Sequence, residues 1–434
     1  MKAIFKKLVV LILQNQVKRL IKQNDFKIIA LTGSVGKTTT KLAIAHVLQS
    51  KYQVLVHEGN YNTEIGMPLS LFSQTAPTNI SDIGAWIKII RANESQIKSD
   101  YPYQYVLMEW GADHPGDIAH FASYINPDIG VLTAVAPAHT DGFGSVENIL
   151  LEKWNVVSAS QHAYINTDFE IIQHHFQSLP ADKQASIQTY GLNPADVQFI
   201  DLEFDLNQKA YQAGFKRGLE TRSGYQIPVI ARHALLAPLV ASAIGFDEGL
   251  TEVEVKHALR TLPTVSGRLN LLDGVNDSLL IDDSYNASSA SMLAALAMLS
   301  ELPATRHIAV LGSINELGSL SVSEHKLVGQ AANQVDILLT IGDDANTHLS
   351  AAAIENGLDS NSVHKFESPR AAGEWLRNIL HSGDIVLIKG SQNKVFSEEA
   401  TKVLLKNPKD SQKLVRQSDW WMAEKSKQFD DLSD

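Results

Sequence analysis

The sequence predicts an α/β protein. A phosphate-loop domain on a parallel sheet, with a small antiparallel sheet, is followed by a Rossmann-like α/β domain. Three observations predict this. From residue 27 onward short apolar runs alternate with helical stretches, the pattern of a parallel sheet covered by helices. A glycine-containing turn separates the first run from the first helix, where backbone N–H groups can cradle phosphate. Between about residues 193 and 229 the pattern changes to apolar–polar alternation (Val197, Phe199, Leu202, Phe204), as in antiparallel strands with one wet face.

Taken in order, the first 27 residues carry seven basic side chains against Asp25 alone, a net of +6 that leaves −17 for the rest of a chain totalling −11. Apolar residues recur there at helical spacing, and the longest uninterrupted run, residues 8–13, is far short of the ~20 residues a spanning helix needs. A helix over residues 1–26 packed on the domain behind it is one reading; a basic amphipathic helix on an anionic membrane surface, or one holding a partner protein, is the other. Residues 27–31 read as a buried strand, 37–49 as a helix and 53–56 as a second strand, with further strands at 105–109, 129–134 and 162–165. A second series starts near Gly267, with strands at 279–282, 307–311, 337–341 and 385–388. Leu262-Pro263 is the candidate linker, so the segments are 1–26, 27–262 and 263–434. The tail from Lys406 on mixes six basic with six acidic residues, and Trp420 and Trp421 are expected to dock it on the body.

Composition removes several function classes. The 434 residues include no cysteine, which excludes disulfides, thiolate nucleophiles, Cys-ligated zinc and iron–sulfur clusters. A net charge of −11 argues against general attraction to nucleic acid. A cytoplasmic enzyme, with membrane association only through the basic helix, is the expectation.

Thr32-Gly33-Ser34-Val35-Gly36-Lys37-Thr38-Thr39 lies between the first strand and its helix. Lys37 is suited to neutralise the β/γ-phosphates of a nucleotide, and the Thr38 hydroxyl to ligate Mg²⁺. The leading glycine of the general phosphate-loop pattern is absent, because Leu31 occupies its place. A glycine turn that merely caps a helix does not account for a lysine followed by three threonines. Glu109 closes an apolar strand, where a carboxylate is costly unless it is paired or ligated.

This variant loop resembles the ATP loop of the Mur ligase family, ATP-dependent amide-bond ligases of peptidoglycan assembly. Further segments are similar, in the family's order, to the branch that adds D-alanyl-D-alanine. They are Glu58-Gly59-Asn60-Tyr61-Asn62-Thr63-Glu64-Ile65-Gly66-Met67-Pro68-Leu69, Met108-Glu109-Trp110-Gly111-Ala112-Asp113-His114-Pro115-Gly116-Asp117-Ile118 and Ala138-His139-Thr140-Asp141-Gly142-Phe143-Gly144-Ser145. In the second half Ser266-Gly267-Arg268, Asp282-Asp283-Ser284-Tyr285-Asn286-Ala287 and Lys389-Gly390-Ser391 follow.

The resemblance implies a reaction in which a muramoyl-peptide carboxylate attacks the γ-phosphate of ATP, and a D-Ala-D-Ala amine then displaces phosphate from the acyl phosphate. It implies two Mg²⁺ ions, with Thr38, Glu109, His139 and Lys153 as ligands, Lys153 as a carbamate. That modification requires an amine pKa well below the usual ~10.4. It further implies Arg268 on the γ-phosphate, Asp282, Tyr285 and Asn286 at the adenosine end, Lys389 near the acyl phosphate, and Asn60 and Asn62 on the substrate. His139 alone would read as a structural histidine; within this set it reads as a ligand. Asn166 and Asp168 resemble a family loop and read equally as an Asx turn.

The chain also departs from the family pattern. Asn155 stands two residues after Lys153 where the family has Glu. Ala234 and Ala237 replace two asparagines of G-x-H-N-x-x-N, and Gln392 replaces the Arg after K-G-S. In the family a separate domain before the ATP loop grips the substrate's UDP moiety; here the loop begins at Thr32, and the expectation is a chain lacking that domain. Two alternatives stand beside the main reading: a Mur-like ligase for another acid and amino acid, of the folylpolyglutamate or poly-amino-acid type, and a non-catalytic ATP-binding regulator on the same scaffold.

Overall fold

The computed structural model describes residues 2–57, 63–112, 114–136 and 143–429, with side chains from Phe5 onward. The chain divides into two compact units. One comprises residues 1–205, 210–228 and 232–263, and the other residues 206–209, 229–231 and 264–434.

In the first unit α1 (Lys2–Gln23) precedes β1 (Lys27–Thr32), α2 (Lys37–Gln49), β2 (Val54–Val56), α3 (Gly66–Leu71) and α4 (Ile83–Lys98). Then come β3 (Tyr105–Glu109), α5 (Asp117–Ala122), β4 (Ile129–Leu132), α6 (Val146–Ala159), β5 (His162–Asn166) and β6 (Ile187–Gly191). Three longer strands close the sheet: β7 (Val197–Asp205), β8 (Ala210–Arg217) and β9 (Glu220–Ile227). The nine strands form one sheet in the order β2-β3-β1-β4-β5-β6-β7-β8-β9. Strands β2 to β6 run parallel, and β3 and β4 are buried along their whole length because helices cover both faces. The antiparallel strands are not a separate sheet. β7 joins β6 through two parallel pairs, Tyr190 with Val197 and Gly191 with Gln198, and the β7–β8–β9 meander extends from that edge.

β1 lies between β3 and β4, in a register that sets Leu31 opposite both Glu109 and Val131. The loop after β1 and the carboxyl end of β3 therefore share one edge of the sheet, where ligands of open α/β sheets bind. Beneath them Ile28, Ala30, Val106, Met108, Trp110 and Leu132 belong to the main core.

α1 is docked on this body. Val17 and Leu20 enter the main core, while Val9, Val10 and Leu13 pack with Ile65, Leu69 and Trp86. The Arg19 guanidinium grips Glu94 of α4 with two bonds of 2.7 and 2.9 Å, and Gln16 Nε2 donates to the Ile90 carbonyl at 2.9 Å.

The second unit carries β10 (Asn270–Asp273), β11 (Leu279–Asp283), β12 (Arg306–Gly312), β13 (Ile337–Ile341), β14 (Val363–Phe366) and β15 (Asp384–Lys389). They form one sheet in the order β10-β11-β15-β12-β13-β14, parallel except for β10. The β11–β15 register aligns Asp283 with Lys389 and Asp282 with Ile388. The tail ends in the helix Asp419–Ser426, where Trp421 meets Phe396 at 6.2 Å between centroids while Trp420 stays largely exposed.

Candidate active site

The phosphate loop is shaped by the strand beside it. Gly33 sits so close to the segment after β4 that a Cβ would lie 2.0 Å from Thr133 Oγ1 and 3.0 Å from the Ala134 nitrogen. Only glycine fits. Gly36 adopts φ +81° immediately before α2, a left-handed conformation that glycine reaches without strain. Ser34 N–H donates to the Ala134 carbonyl at 2.8 Å, and Thr133 Oγ1 donates to the Val35 carbonyl at 2.6 Å. Thr32 Oγ1 donates to the Trp110 carbonyl at 2.7 Å, which ties β1 to the end of β3. Lys37 Nζ donates to the Gly33 carbonyl at 2.7 Å, so its ammonium folds over its own loop. No side-chain cap hydrogen bond is made at the N-terminus of α2 among the described residues. Val35 is exposed at the loop's tip and Thr39 is half-buried on the helix.

Thr38 and Glu109 are brought together. The Thr38 hydroxyl lies 3.1 Å from Glu109 Oε2 and 3.3 Å from Oε1. Lys41, one turn further along α2, places Nζ 3.3 Å from Glu109 Oε2, and both side chains are at most 4% exposed. A buried carboxylate at a strand end is thus neutralised by a buried ammonium, as desolvation demands. Sequence reading missed Lys41. Its signal was present all the same: a lysine at i+4 from Lys37 on a helix whose other buried residues are Thr40 and aliphatic side chains.

Lys153 is buried on α6. Its neighbour Glu152 accepts hydrogen bonds from the backbone N–H of Gly116 at 2.8 Å and Ile118 at 2.7 Å, a carboxylate seated at the N-terminus of α5. Asn155 donates to the Glu152 carbonyl at 2.9 Å, so it is spent on its own helix. Asn166 is structural: Nδ2 donates to the Thr133 carbonyl at 2.8 Å, and Oδ1 accepts from Asp168 N–H at 3.0 Å, the Asx turn. Asp168 in turn accepts from the backbone N–H groups of Leu192 and Asn193. His139, Asn60 and Asn62 lie outside the described residues. Among the described residues no group of three His, Cys, Asp or Glu side chains converges as a metal cluster.

The second unit assembles its own group. Tyr285 N–H donates to the Gly267 carbonyl at 2.9 Å, and the exposed Arg268 guanidinium stacks on the Tyr285 ring at 4.4 Å from its centroid. Gly267 has φ +65°, and a Cβ there would press on Tyr285 N at 2.8 Å. Asn286 Oδ1 accepts from Gln392 N–H at 3.3 Å.

Two of the assigned residues of this unit are buried. Asp282, assigned to the adenosine end, is 0% exposed; its Oδ1 accepts from Thr401 Oγ1 at 3.4 Å, and its Oδ2 has no partner among the described residues. Burial pushes its carboxyl up to about 7. Strand alternation explains this, since neighbours on β11 point to opposite faces and 282 is the inward one. Asp283, on the opposite face, accepts from Lys389 Nζ at 2.7 Å; burial raises its carboxyl, and the Lys389 ammonium opposes that rise. Lys389, expected near an acyl phosphate, is 3% exposed and committed to Asp283 and to the Asn286 carbonyl at 3.0 Å. It fastens the loop from beneath.

The tail supplies what sequence reading did not find. Arg416 donates to the carbonyls of Ser284 at 2.6 Å and Tyr285 at 3.0 Å, and grips Glu398 at 2.8 and 2.6 Å. Lys425, 0% exposed, meets Glu398 at 3.0 Å and Glu399 at 2.5 Å. Four buried charges of balanced sign thus hold the tail against the loop that presents Tyr285.

The description "Mur ligase middle domain" matches residues 31–82 and 91–245, and "Mur ligase, glutamate ligase domain" matches residues 267–392. A relative from Synechocystis sp., named UDP-N-acetylmuramoyl-tripeptide–D-alanyl-D-alanine ligase, is 30% identical over 387 residues, covering 88% of this chain and 75% of the relative. The chain belongs to the Mur ligase family. The Escherichia coli protein of the same name is 28% identical over 391 residues, covering 88% of this chain and 77% of its own length. Among solved structures, MurF ligase from Thermotoga maritima in complex with ADP shares the fold at TM-score 0.67 and 24% identity, over 91% of this chain and 84% of that one. MurF from Acinetobacter baumannii does so at TM-score 0.67 and 23% identity, over 90% and 79%. In this Mur ligase the loop Thr32–Thr39 and Glu109 fall inside the matched middle domain, and Arg268, Tyr285 and Lys389 inside the matched C-terminal domain. Arg416 and Lys425 lie beyond both matched segments.

Proposed function

We propose that this chain is an ATP- and Mg²⁺-dependent carbon–nitrogen ligase of peptidoglycan precursor synthesis, joining D-Ala-D-Ala to a muramoyl-peptide carboxylate. The observation that carries the reading is the Thr38–Glu109 pair, seated beside a glycine-shaped loop in a chain whose relatives bear that activity in their names.

The residues fit the chemistry. Thr38 and Glu109 offer oxygen donors of the kind a hard divalent cation takes. Mg²⁺ held by them, with His139 and Lys153 as further ligands, would polarise the phosphoryl oxygens. Backbone N–H groups of residues 33–38 and the Lys37 ammonium offset the β/γ-phosphate charge. The substrate carboxylate oxygen attacks the γ-phosphorus, the bond to the β–γ bridging oxygen breaks, and ADP leaves. The amine of D-Ala-D-Ala then attacks the acyl carbon. The C–O bond to phosphate breaks, inorganic phosphate departs, and the amine loses a proton as the amide forms. Arg268, oriented by stacking on Tyr285, offers a planar cation suited to a phosphoryl group.

A carbamate on Lys153 belongs to the same reading: its neutral amine adds to CO₂ with loss of a proton, giving an anionic oxygen ligand. Its test is a carbamate carbon resonance in ¹³C-bicarbonate that is missing from Lys153→Ala. The activity is tested by ADP and phosphate release with UDP-muramoyl tripeptide and D-Ala-D-Ala, set against other acids and amines. Release that needs both named substrates supports the proposal. Release with a folate or another amino acid pair, or ATP binding without turnover, overturns it.

A further inference from the structure

α1 and α4 lie side by side, and the Arg19–Glu94 ion pair fixes their register. Leu8 and Ile12 stand eleven and seven residues before Arg19; Ile83 and Ile87 stand eleven and seven before Glu94. Spacings of four, seven and eleven keep side chains on one stripe of a helix. Two apolar stripes thus run from the ion pair at matching levels along the paired helices. Trp86, packed with Val9 and Leu13 between them, agrees with that level.

Inner-facing members of α1 are buried, but Leu8 is 55% exposed, Leu11 63%, Ile83 60% and Ile87 44%. Ile80, whose carbonyl accepts from Trp86 Nε1 at 2.8 Å, adds another exposed side chain at 45%. The rims are basic. On α1 the exposed Lys7, Lys18 and Lys22 share a row with Leu11; on α4 the exposed Lys88 and Arg91 form the outer row. Glu94, on the helix pair, is engaged by Arg19. This stands on a chain of net charge −11, so the basic rim is a local feature and not a consequence of composition. No described helix is long and apolar enough to cross a membrane.

We propose that the α1–α4 face is a docking surface for an anionic lipid bilayer, with Leu8, Leu11, Ile83 and Ile87 entering the headgroup–acyl boundary and the flanking lysines and arginine meeting lipid phosphates. Charge complementarity selects this occupant: a protein partner needs a defined shape, whereas an apolar strip bordered by mobile cations is what a fluid anionic interface binds. The inference does not depend on the identity of the ligase's substrates.

The experiment is co-sedimentation of the full chain with phosphatidylglycerol-containing vesicles and with pure phosphatidylcholine vesicles, with ligase turnover measured in parallel without lipid. Binding is expected to anionic vesicles only, and to fall as salt rises. Lys18→Gln with Lys22→Gln should weaken it about fivefold per lysine. Leu11→Ser with Ile83→Ser should weaken it by at least about tenfold. All four positions are exposed, so these variants should retain fold and lipid-free turnover. Absence of binding to anionic vesicles by a folded chain overturns the proposal, and so does binding that survives both pairs of substitutions. A dimer in solution that Leu11→Ser with Ile83→Ser dissociates also overturns it, because the occupant is then a second copy. Failure of the ligase assay with vesicle binding intact would refute only the proposed activity.

Discussion

Replacing Arg416 by methionine keeps most of its side-chain volume and removes its charge. The guanidinium makes four hydrogen bonds, two to the carboxylate of Glu398 and two to the carbonyls of Ser284 and Tyr285. The Arg416 side chain is 5% exposed and that of Glu398 0%. Breaking one partner of a buried pair costs about 3–5 kcal/mol, because the remaining charge stays buried. Lys425, 3.0 Å from Glu398 Oε1, offsets part of that charge, which puts the carboxylate's share near the lower end. Each carbonyl that loses its donor adds about 1 kcal/mol. Together the second unit should lose about 5 kcal/mol. Guanidinium unfolding followed by tryptophan fluorescence reads this directly, since Trp421 rests on Phe396 in the same packed tail. Arg416→Met with Glu398→Leu removes both charges and should recover a large part of the loss, giving a coupling energy of a few kcal/mol in the double-mutant cycle. Arg416→Lys should recover less, because a point charge cannot serve a carboxylate and two carbonyls at once. On the proposed role of Tyr285 in nucleotide binding, KM for ATP should rise more than kcat falls. A loss below about 1 kcal/mol with unchanged KM would refute the idea that the tail holds this loop.

Gly33→Ala should abolish nucleotide binding while the chain still folds, since its Cβ would collide with Thr133 Oγ1 and move the loop; ADP titration calorimetry checks it. Glu109→Gln should remove ligation and also destabilise the first unit by about 2–4 kcal/mol, because Lys41 loses its counter-charge in a buried site. The double variant Glu109→Gln/Lys41→Met should regain stability but not turnover. Asp282→Asn tests the buried carboxyl. Its folded-state value near 7, against an ordinary 3.8, means the folded chain retains a proton that the unfolded chain releases across that window. That contribution to stability is full below about pH 4, declines as pH rises to about 7, and is absent above. The substitution should therefore raise Tm relative to the unsubstituted chain at pH 8 and have little effect at pH 4. An equal effect at both values would refute it.

The phosphate loop was legible because its determinants are local: a strand, a glycine pair and a lysine within eight residues. Glu109 was legible because a carboxylate that ends a buried apolar strand has to be paired or ligated there. The Asp282–Asp283 pair was legible only as a pair. Adjacent residues on a strand face opposite ways, and which one meets Lys389 depends on how β11 lies against β15, a contact between segments 106 residues apart in sequence. Arg416 and Lys425 looked like solvated charges in a mixed tail, because nothing local distinguishes a buried cation from an exposed one. α1 showed the same limit: its apolar residues were readable, but α3 and α4 decide which of them are covered.

The sequence by itself determined the fold class, the glycine-shaped loop after β1 and the family, because each rests on short-range patterning that survives at 30% identity. Tertiary structure alone decided which carboxylate faces Lys389, which cation neutralises Glu109, how the tail is fastened to the loop at Tyr285, and which leucines and isoleucines remain at the surface. Those outcomes turn on desolvation, and whether water reaches a side chain is set by segments distant in sequence.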